Sequence, residues 1–286
     1  MRFALPSLLF FLAAVTLGPP GLGRSRETGF LDRSISLHRT TYKYQVFVPE
    51  DWSPKQQWPI ILFLHGAGER GSDGLLQTDI GLPNAIRHDR TRFPTIVVMP
   101  QCVNDRWWTE PAMEEMALAT LAEATKEFKG DPKHTYLTGL SMGGYGSWDL
   151  AARYPGKFAA VVAICGGIVP PEHIMKSEPE LAKYTYPDVP KSYAEVARKI
   201  GKTPMWIFHG ADDPVVPVSQ SRHMAEALKS ALGQNKIYSK PPKTTNGGPQ
   251  VIYTEYPETG HDSWNKAYAE PALIPWILSK SLPLEP

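Results

Sequence analysis

Cysteine is nearly absent from this 286-residue chain, which holds only Cys102 and Cys165. Two thiols cannot build a disulfide framework, and alone they cannot supply the four ligands of a structural zinc site. An excess of one charge is also lacking: 30 Lys and Arg stand against 29 Asp and Glu, a formal net charge of +1. A protein that grips a nucleic-acid backbone carries a basic excess, so no nucleic-acid partner is expected. The apolar run Phe3–Leu17 (FALPSLLFFLAAVTL) falls short of the roughly 20 residues that span a bilayer. Internal repeats are missing too. What the chain does have is an ordinary globular balance, 42% hydrophobic and 21% charged, enough for one domain around a single core.

The short apolar run follows Arg2 and has the length of a secretory signal. Pro19 would hinder a peptidase cutting after Gly18, whereas Gly21 and Gly23 place small residues at the right spacing, so cleavage is expected near Gly23. No cysteine lies nearby to carry a lipid. The alternative is an uncleaved hydrophobic anchor. With residues 1–23 removed, the mature domain of residues 24–286 is neutral, has no stable membrane insertion, and is secreted or periplasmic.

Apolar, β-rich runs occur at Tyr42–Val48, Ile60–His65, Thr95–Met99, Thr135–Thr138, Ala159–Ile164, Met205–His209 and Val251–Tyr256. Several are continuously apolar (IILFL, IVVM, AAVVAI), as strands of a parallel sheet covered on both faces must be. Helical patterns lie between them. Ala112–Phe128 puts Met113, Met116, Ala117, Leu121, Ala124 and Phe128 on one face; Val218–Leu232 and Ala267–Lys280 follow, the last broken or kinked by Pro271 and Pro275. Such alternation predicts a three-layer α/β domain with a mostly parallel sheet. Gly166–Ser192, with Pro170, Pro171, Pro179, Pro187 and Pro190, departs from it and reads as a small excursion over the sheet's active-site face. Lys240–Pro249 (KPPKTTNGGP) reads as a turn-rich surface loop.

Chemistry concentrates at strand ends. Gly139-Leu140-Ser141-Met142-Gly143 fits G-x-S-x-G between the strand TYLT and the helical stretch GGYGSWDLAARY. Small residues there permit a tight strand-to-helix turn that lifts the Ser141 hydroxyl above the sheet as a nucleophile. The helix start adds the Met142 N–H and a positive dipole beside developing negative charge. In this architecture an acid and then a histidine follow in the chain. Of the eight histidines, His261 on the loop after the last strand is the expected general base, because His223 sits inside a helical pattern that faces solvent. The acid is expected after Met205–His209, in Gly210-Ala211-Asp212-Asp213-Pro214-Val215-Val216-Pro217. Asp213 is preferred to Asp212 because the D-P-V-V-P turn holds its side chain; Glu258 is an outside candidate. A second oxyanion donor is expected from Ala67 in His65-Gly66-Ala67-Gly68, where glycines let the backbone approach a substrate oxygen. His65 reads as a packed structural residue. The same segment matches G-x-G-x-x-G at Gly66, Gly68 and Gly71, but no good helix follows and Met99-Pro100-Gln101 offers no acidic partner for a ribose, so a dinucleotide site is set aside.

HGAGERG, GLSMGGYG, HGADDPVVP and TGHDSW together resemble the α/β-hydrolase superfamily, and within it the secreted carboxylesterases of the phospholipase/carboxylesterase and feruloyl-esterase-like group, some labelled predicted peptidases. The resemblance covers about Tyr42 to Leu278. It implies an α/β-hydrolase fold, Ser141 as nucleophile, Asp213 as acid, His261 as base, and Ala67 with Met142 as the oxyanion hole. The oxyanion loop is not of the H-G-G-G type and no helical lid is evident, two departures from better-known esterases. The family's strand order puts Cys102 and Cys165 at strand ends three positions apart, beyond the reach of a disulfide, so two separate buried thiols are expected. Pro100-Gln101-Cys102 with Trp107-Trp108 resembles the family's cleft-lining segment. Trp107, Trp108, Tyr145 and Trp264 are able to wall a pocket, and Trp108 and Trp264 are chosen as its residues. The function expected is serine-dependent hydrolysis of a small-molecule or polysaccharide-linked ester through an acyl-enzyme, with no metal and no organic cofactor. A serine peptidase of the same fold, or a binding protein without catalysis, is the alternative.

Overall fold

The computed structural model describes residues 27–242 and 251–283. The expected signal segment, residues 1–23, lies outside them, as does most of the expected Lys240–Pro249 loop. Among the described residues, eight strands form one sheet in the order β1-β2-β4-β3-β5-β6-β7-β8. β3 (Trp58–Leu64), β4 (Ile96–Pro100), β5 (Gly130–Leu140), β6 (Ala160–Ile164), β7 (Met205–Gly210) and β8 (Val251–Tyr256) run parallel. β1 (Gly29–Leu37) and β2 (Thr40–Val48) add an antiparallel edge hairpin against β4.

Parallel strands need crossovers, and these supply the outer layers. Along β3, Ile60, Leu62 and Leu64 face one apolar cluster and Ile61 and Phe63 the other. That two-sided burial is why IILFL has no polar alternation. The first cluster is covered by α2 (Pro111–Phe128), α3 (Met142–Arg153), α5 (Pro190–Ile200) and α6 (Ser219–Ala231). The second is covered by α1 (Leu82–His88), α7 (Trp264–Ala269) and α8 (Leu273–Leu278). The predicted face of α2 is buried at Met113, Met116, Ala117, Leu121, Ala124 and Phe128.

Three elements need comment. β1 carries no strong sequence signal, because it is an edge strand whose residues alternate between exposed and half-buried. Its turn to β2 uses His38 and Arg39, both at positive φ, rather than the usual Asn-Gly. The pattern over Ala267–Lys280, expected to be broken or kinked by its prolines, is two helices starting at Trp264: Pro271 separates them, while Pro275 sits in the first turn of α8, where a missing N–H does little harm. The Pro-rich stretch folds into α4 (Glu172–Ser177) and a 3-10 turn at Pro179–Lys183, and it ends in the first turn of α5. Trp107 Nε1 donates to Glu178 Oε2 at 2.7 Å and ties this stretch to the segment after β4. Cys102 and Cys165 are both free and buried, one beyond β4 and the other beyond β6, with β3 and β5 between those strands.

Candidate active site

All the motif residues gather at the carboxyl ends of the parallel strands, where an open α/β sheet places its crevice. Ser141 stands between the end of β5 and the start of α3, with φ 52° and ψ −120°. A non-glycine residue held there stores about 1–3 kcal/mol of strain that the surroundings must impose. Two neighbours impose it. A Cβ on Gly143 would lie 2.0 Å from the Leu64 carbonyl oxygen, and one on Gly139 would lie 2.2 Å from the Gly143 oxygen, so only glycines let α3 sit this close to β3 and β5. The Ser141 N–H donates to the Ile164 carbonyl at 2.9 Å and pins the turn to β6.

The His261 loop leaves β8 and the Asp213 loop leaves β7. Gly210 lets them meet: a Cβ there would overlap the Gly260 and Thr259 carbonyls at 2.2 and 2.3 Å. The Ala211 N–H donates to the Tyr256 carbonyl at 2.9 Å and the Asp212 N–H to the Thr259 carbonyl at 3.0 Å, so the two loops are joined through backbone. His261 Nε2 then lies 2.9 Å from Ser141 Oγ, and His261 Nδ1 lies 2.7 Å from Asp213 Oδ2. Facing a carboxylate, Nδ1 must carry the proton, which leaves Nε2 free to accept one from the serine.

Asp213 has a fully buried side chain. Oδ1 accepts from the Val215 and Val216 N–H groups at 2.8 and 2.9 Å, through the D-P-V-V turn that the sequence marks. Burial alone would raise its pKa. Hydrogen bonds from His209, His261 and the Val216 backbone outweigh that, and hold the carboxyl well below the usual carboxylate range. Asp212 is exposed and contributes only backbone to this arrangement, and Glu258 is exposed at positive φ.

Ala67 opens a 3-10 turn at Ala67–Glu69 and Met142 opens α3, so each offers an N–H from a helical first turn, where no intrahelical acceptor exists. The Ala67 segment lies against the serine, because a Cβ on Gly66 would be 3.6 Å from Ser141 Cβ. His65 is packed beneath. Its Nδ1–H donates to the Gly66 carbonyl at 2.6 Å and its Nε2 accepts from the Cys102 N–H at 2.9 Å. Complete burial, aided by the Arg70 charge, lowers its pKa to about 4.

The aromatic expectations divide. Trp108 does not wall a cleft: it is 1% exposed, its Nε1 donates to the His65 carbonyl at 2.9 Å, and its ring meets the His65 ring edge-on. Gly146 of α3 packs onto its Cβ, so it belongs to the core under the oxyanion loop. Trp107 and Tyr145 are likewise buried, against each other. Trp264 is half-buried with its ring edge-on to His261, centroids 5.4 Å apart, beside the base. The site residues that sequence reasoning passed over are Gly210 and His209, both inside the quoted HGADDPVVP motif.

Among the described residues, one grouping has metal-ligand chemistry: atoms of Cys165, Asp213 and His261 lie within 4.8 Å of one another. The His261 and Asp213 atoms are hydrogen-bonded to each other rather than diverging toward a common centre, and burial pushes the Cys165 thiol well up. The arrangement is that of a proton relay.

A three-layer fold whose sheet edge carries a strained serine, a histidine and a carboxylate defines the α/β-hydrolase class. Residues 35–239 match the family model described as "Putative esterase". The chain belongs to this esterase family. It is 22% identical to "Probable feruloyl esterase C" of Aspergillus niger over 226 residues, which are 78% of this chain and 68% of that protein. It is 24% identical to an "Uncharacterized secreted protein" of Arthroderma benhamiae, over 65% of this chain and 21% of that protein. A thermostable esterase of known structure superimposes with a TM-score of 0.67 at 29% identity, over 88% of this chain; the chain spans 63% of that esterase's length.

Proposed function

We propose that this protein is a secreted serine esterase that acts through Ser141, His261 and Asp213. The unbroken chain of contacts, 2.9 Å from Ser141 Oγ to His261 Nε2 and 2.7 Å from His261 Nδ1 to Asp213 Oδ2, carries the reading. His261 Nε2 takes the hydroxyl proton as Ser141 Oγ attacks the ester carbonyl, and the buried Asp213 carboxylate stabilises the imidazolium. The Ala67 and Met142 N–H groups hold the oxyanion. The imidazolium then protonates the departing alkoxide. Water, deprotonated by His261, attacks the acyl-enzyme, and Ser141 recovers its proton as the acid leaves.

The substrate class is a carboxylic ester, linked to a small alcohol or to a polysaccharide hydroxyl. The relative named as a feruloyl esterase supports a feruloyl or similar aryl acid on the acyl side. Secretion is supported by the signal-like residues 1–23 and by the relative named as secreted; among the described residues no helix is long and apolar enough to cross a membrane. The mechanism calls on no metal, no organic cofactor and no nucleic acid.

The test is turnover of p-nitrophenyl acetate, methyl ferulate and a peptide p-nitroanilide, by the native chain and by Ser141→Ala. Ester turnover that falls by about 10⁴ or more in the folded variant supports the reading. Undiminished turnover removes Ser141 as nucleophile, and a preference for the anilide would make the enzyme a peptidase.

A further inference from the structure

A second histidine lies behind the acid. His209, at the end of β7, is completely buried, and its Nε2 is 3.1 Å from Asp213 Oδ2 and 3.0 Å from the Val216 carbonyl oxygen. Both are acceptors that cannot donate, so Nε2 must bear a proton. On the other side Nδ1 is 2.7 Å from Ser221 Oγ, on α6. A hydroxyl can donate, so one proton on Nε2 satisfies the ring: Ser221 O–H points to Nδ1, and Nε2–H points to Asp213 and the Val216 carbonyl. Asp213 Oδ2 therefore accepts from the His261 Nδ1–H and has the His209 Nε2–H, shared with the Val216 carbonyl, at an N···O distance of 3.1 Å, while Oδ1 receives two backbone N–H groups.

We infer that His209 is a positioning residue for the proposed triad: the two acceptors at Nε2 set its tautomer, Ser221 satisfies its other nitrogen, and its Nε2–H fixes the Asp213 carboxylate and tempers the basicity of the oxygen that His261 uses. The inference rests on the triad reading above. Apart from His209, Oδ2 is held only by the His261 ring on its loop, and the buried His209 N–H gives that oxygen a second, fixed partner. Without the His209 donor, Oδ2 keeps more of its negative charge for His261 and stabilises the imidazolium more strongly, while the carboxylate is held less rigidly.

The remaining groups around the pair do not supply this function. Glu255 pairs in register with His209 across β8, but its carboxylate is held by Arg222 of α6 through two hydrogen bonds of 2.9 and 2.6 Å. Cys165 and Tyr145, which lie near Asp213, are both pushed well up by burial and stay neutral. Asp262, beside the base, is exposed.

The experiment is the pH profile of kcat on p-nitrophenyl acetate for the full chain and its position-209 variants. His209→Phe keeps a ring but no donor; its kcat should fall about tenfold or more and the acid limb of the profile should move to higher pH. His209→Gln should recover most of the kcat and restore the limb, because its amide N–H reaches the Nε2 position. His209→Asn, one methylene shorter, should not. The Gln and Asn pair also decides the matter if His209→Phe does not fold. Identical acid limbs and kcat in the Gln, Asn and native proteins would overturn the inference. Ser141→Ala is measured alongside: if it stays active the triad reading has failed, whereas its inactivity with unmoved limbs at position 209 sinks the His209 role alone.

Discussion

Asp213→Asn is the substitution that most directly tests the relay. The volume is unchanged and the Val215 and Val216 N–H groups still demand an oxygen at the Oδ1 position. The amide must therefore place its oxygen there and its NH2 where Oδ2 now sits, facing His261 Nδ1 at 2.7 Å and His209 Nε2 at 3.1 Å. A donor opposite Nδ1 forces the His261 proton onto Nε2, and a protonated Nε2 cannot accept from Ser141 Oγ. Wrong-tautomer substitutions of this kind lower kcat by about 10⁴, or about 5.4 kcal/mol at 1.36 kcal/mol per tenfold change. The assay is kcat on p-nitrophenyl acetate near neutral pH, with Ser141→Ala as the floor and circular dichroism as the check on folding. Asp212→Asn, on an exposed side chain, should stay near the native rate. A folded Asp213→Asn enzyme within tenfold of native would refute the tautomer reasoning, and a larger loss at position 212 would exchange the two aspartates.

Gly143→Ala drives a methyl onto the Leu64 carbonyl from 2.0 Å; it should destabilise by about 3 kcal/mol or more, read as a lower urea midpoint, and an unshifted midpoint would contradict the packing described. Trp108→Ala should lower stability by about 3–5 kcal/mol as a core truncation, with the KM ratio of methyl ferulate to p-nitrophenyl acetate unchanged; a selective rise in the ferulate KM would return Trp108 to the pocket. His65, ordinarily near 6.5 and lowered to about 4, lets the unfolded chain take a proton that the folded chain refuses. Unfolding free energy should therefore fall by about 3 kcal/mol as the pH drops from about 6.5 to 4, measured by urea titration at several pH values, and His65→Gln should flatten that slope.

Much of this molecule was legible because its elements are two-sided. Strands such as IILFL and AAVVAI face apolar layers above and below, so continuous hydrophobicity gave them away, and the 3.6-residue spacing of Met113, Met116, Leu121, Ala124 and Phe128 marked α2. β1 escaped because an edge strand exposes one face and leaves a weak alternation. That Ser141, His261 and Asp213 would meet was readable from strand–turn–helix context and chain order. Trp108 misled, because nothing in a sequence tells whether an indole near a strand end turns toward the cleft or under it. Here the His65 carbonyl accepts its N–H and Gly146 makes room for its body, two contacts that exist only after α3 has packed on β3.

His209 was hidden for a related reason, and its place shows where the site gets its rigidity. The loops at the edge that carries the proposed site are held by backbone hydrogen bonds: Ser141 N–H to Ile164, Ala211 N–H to Tyr256, Asp212 N–H to Thr259. Backbone contacts can be that close only where Gly139, Gly143 and Gly210 remove a Cβ. A misplacement of about 1 Å at a reacting group costs about 10²-fold in rate, so the proposed reaction requires these groups to be fixed from below. The floor beneath the triad is built for that: His65 under the oxyanion loop, with its tautomer set by Gly66 and Cys102, and His209 under the acid, with its tautomer set by Asp213 and Val216 and its other nitrogen satisfied by Ser221. Both rings are fully buried, and each has a backbone or hydroxyl partner at both nitrogens. An imidazole serves this purpose better than an amide of similar size because it is rigid and donates on one edge while accepting on the other, so two loops that share one ring cannot shift independently.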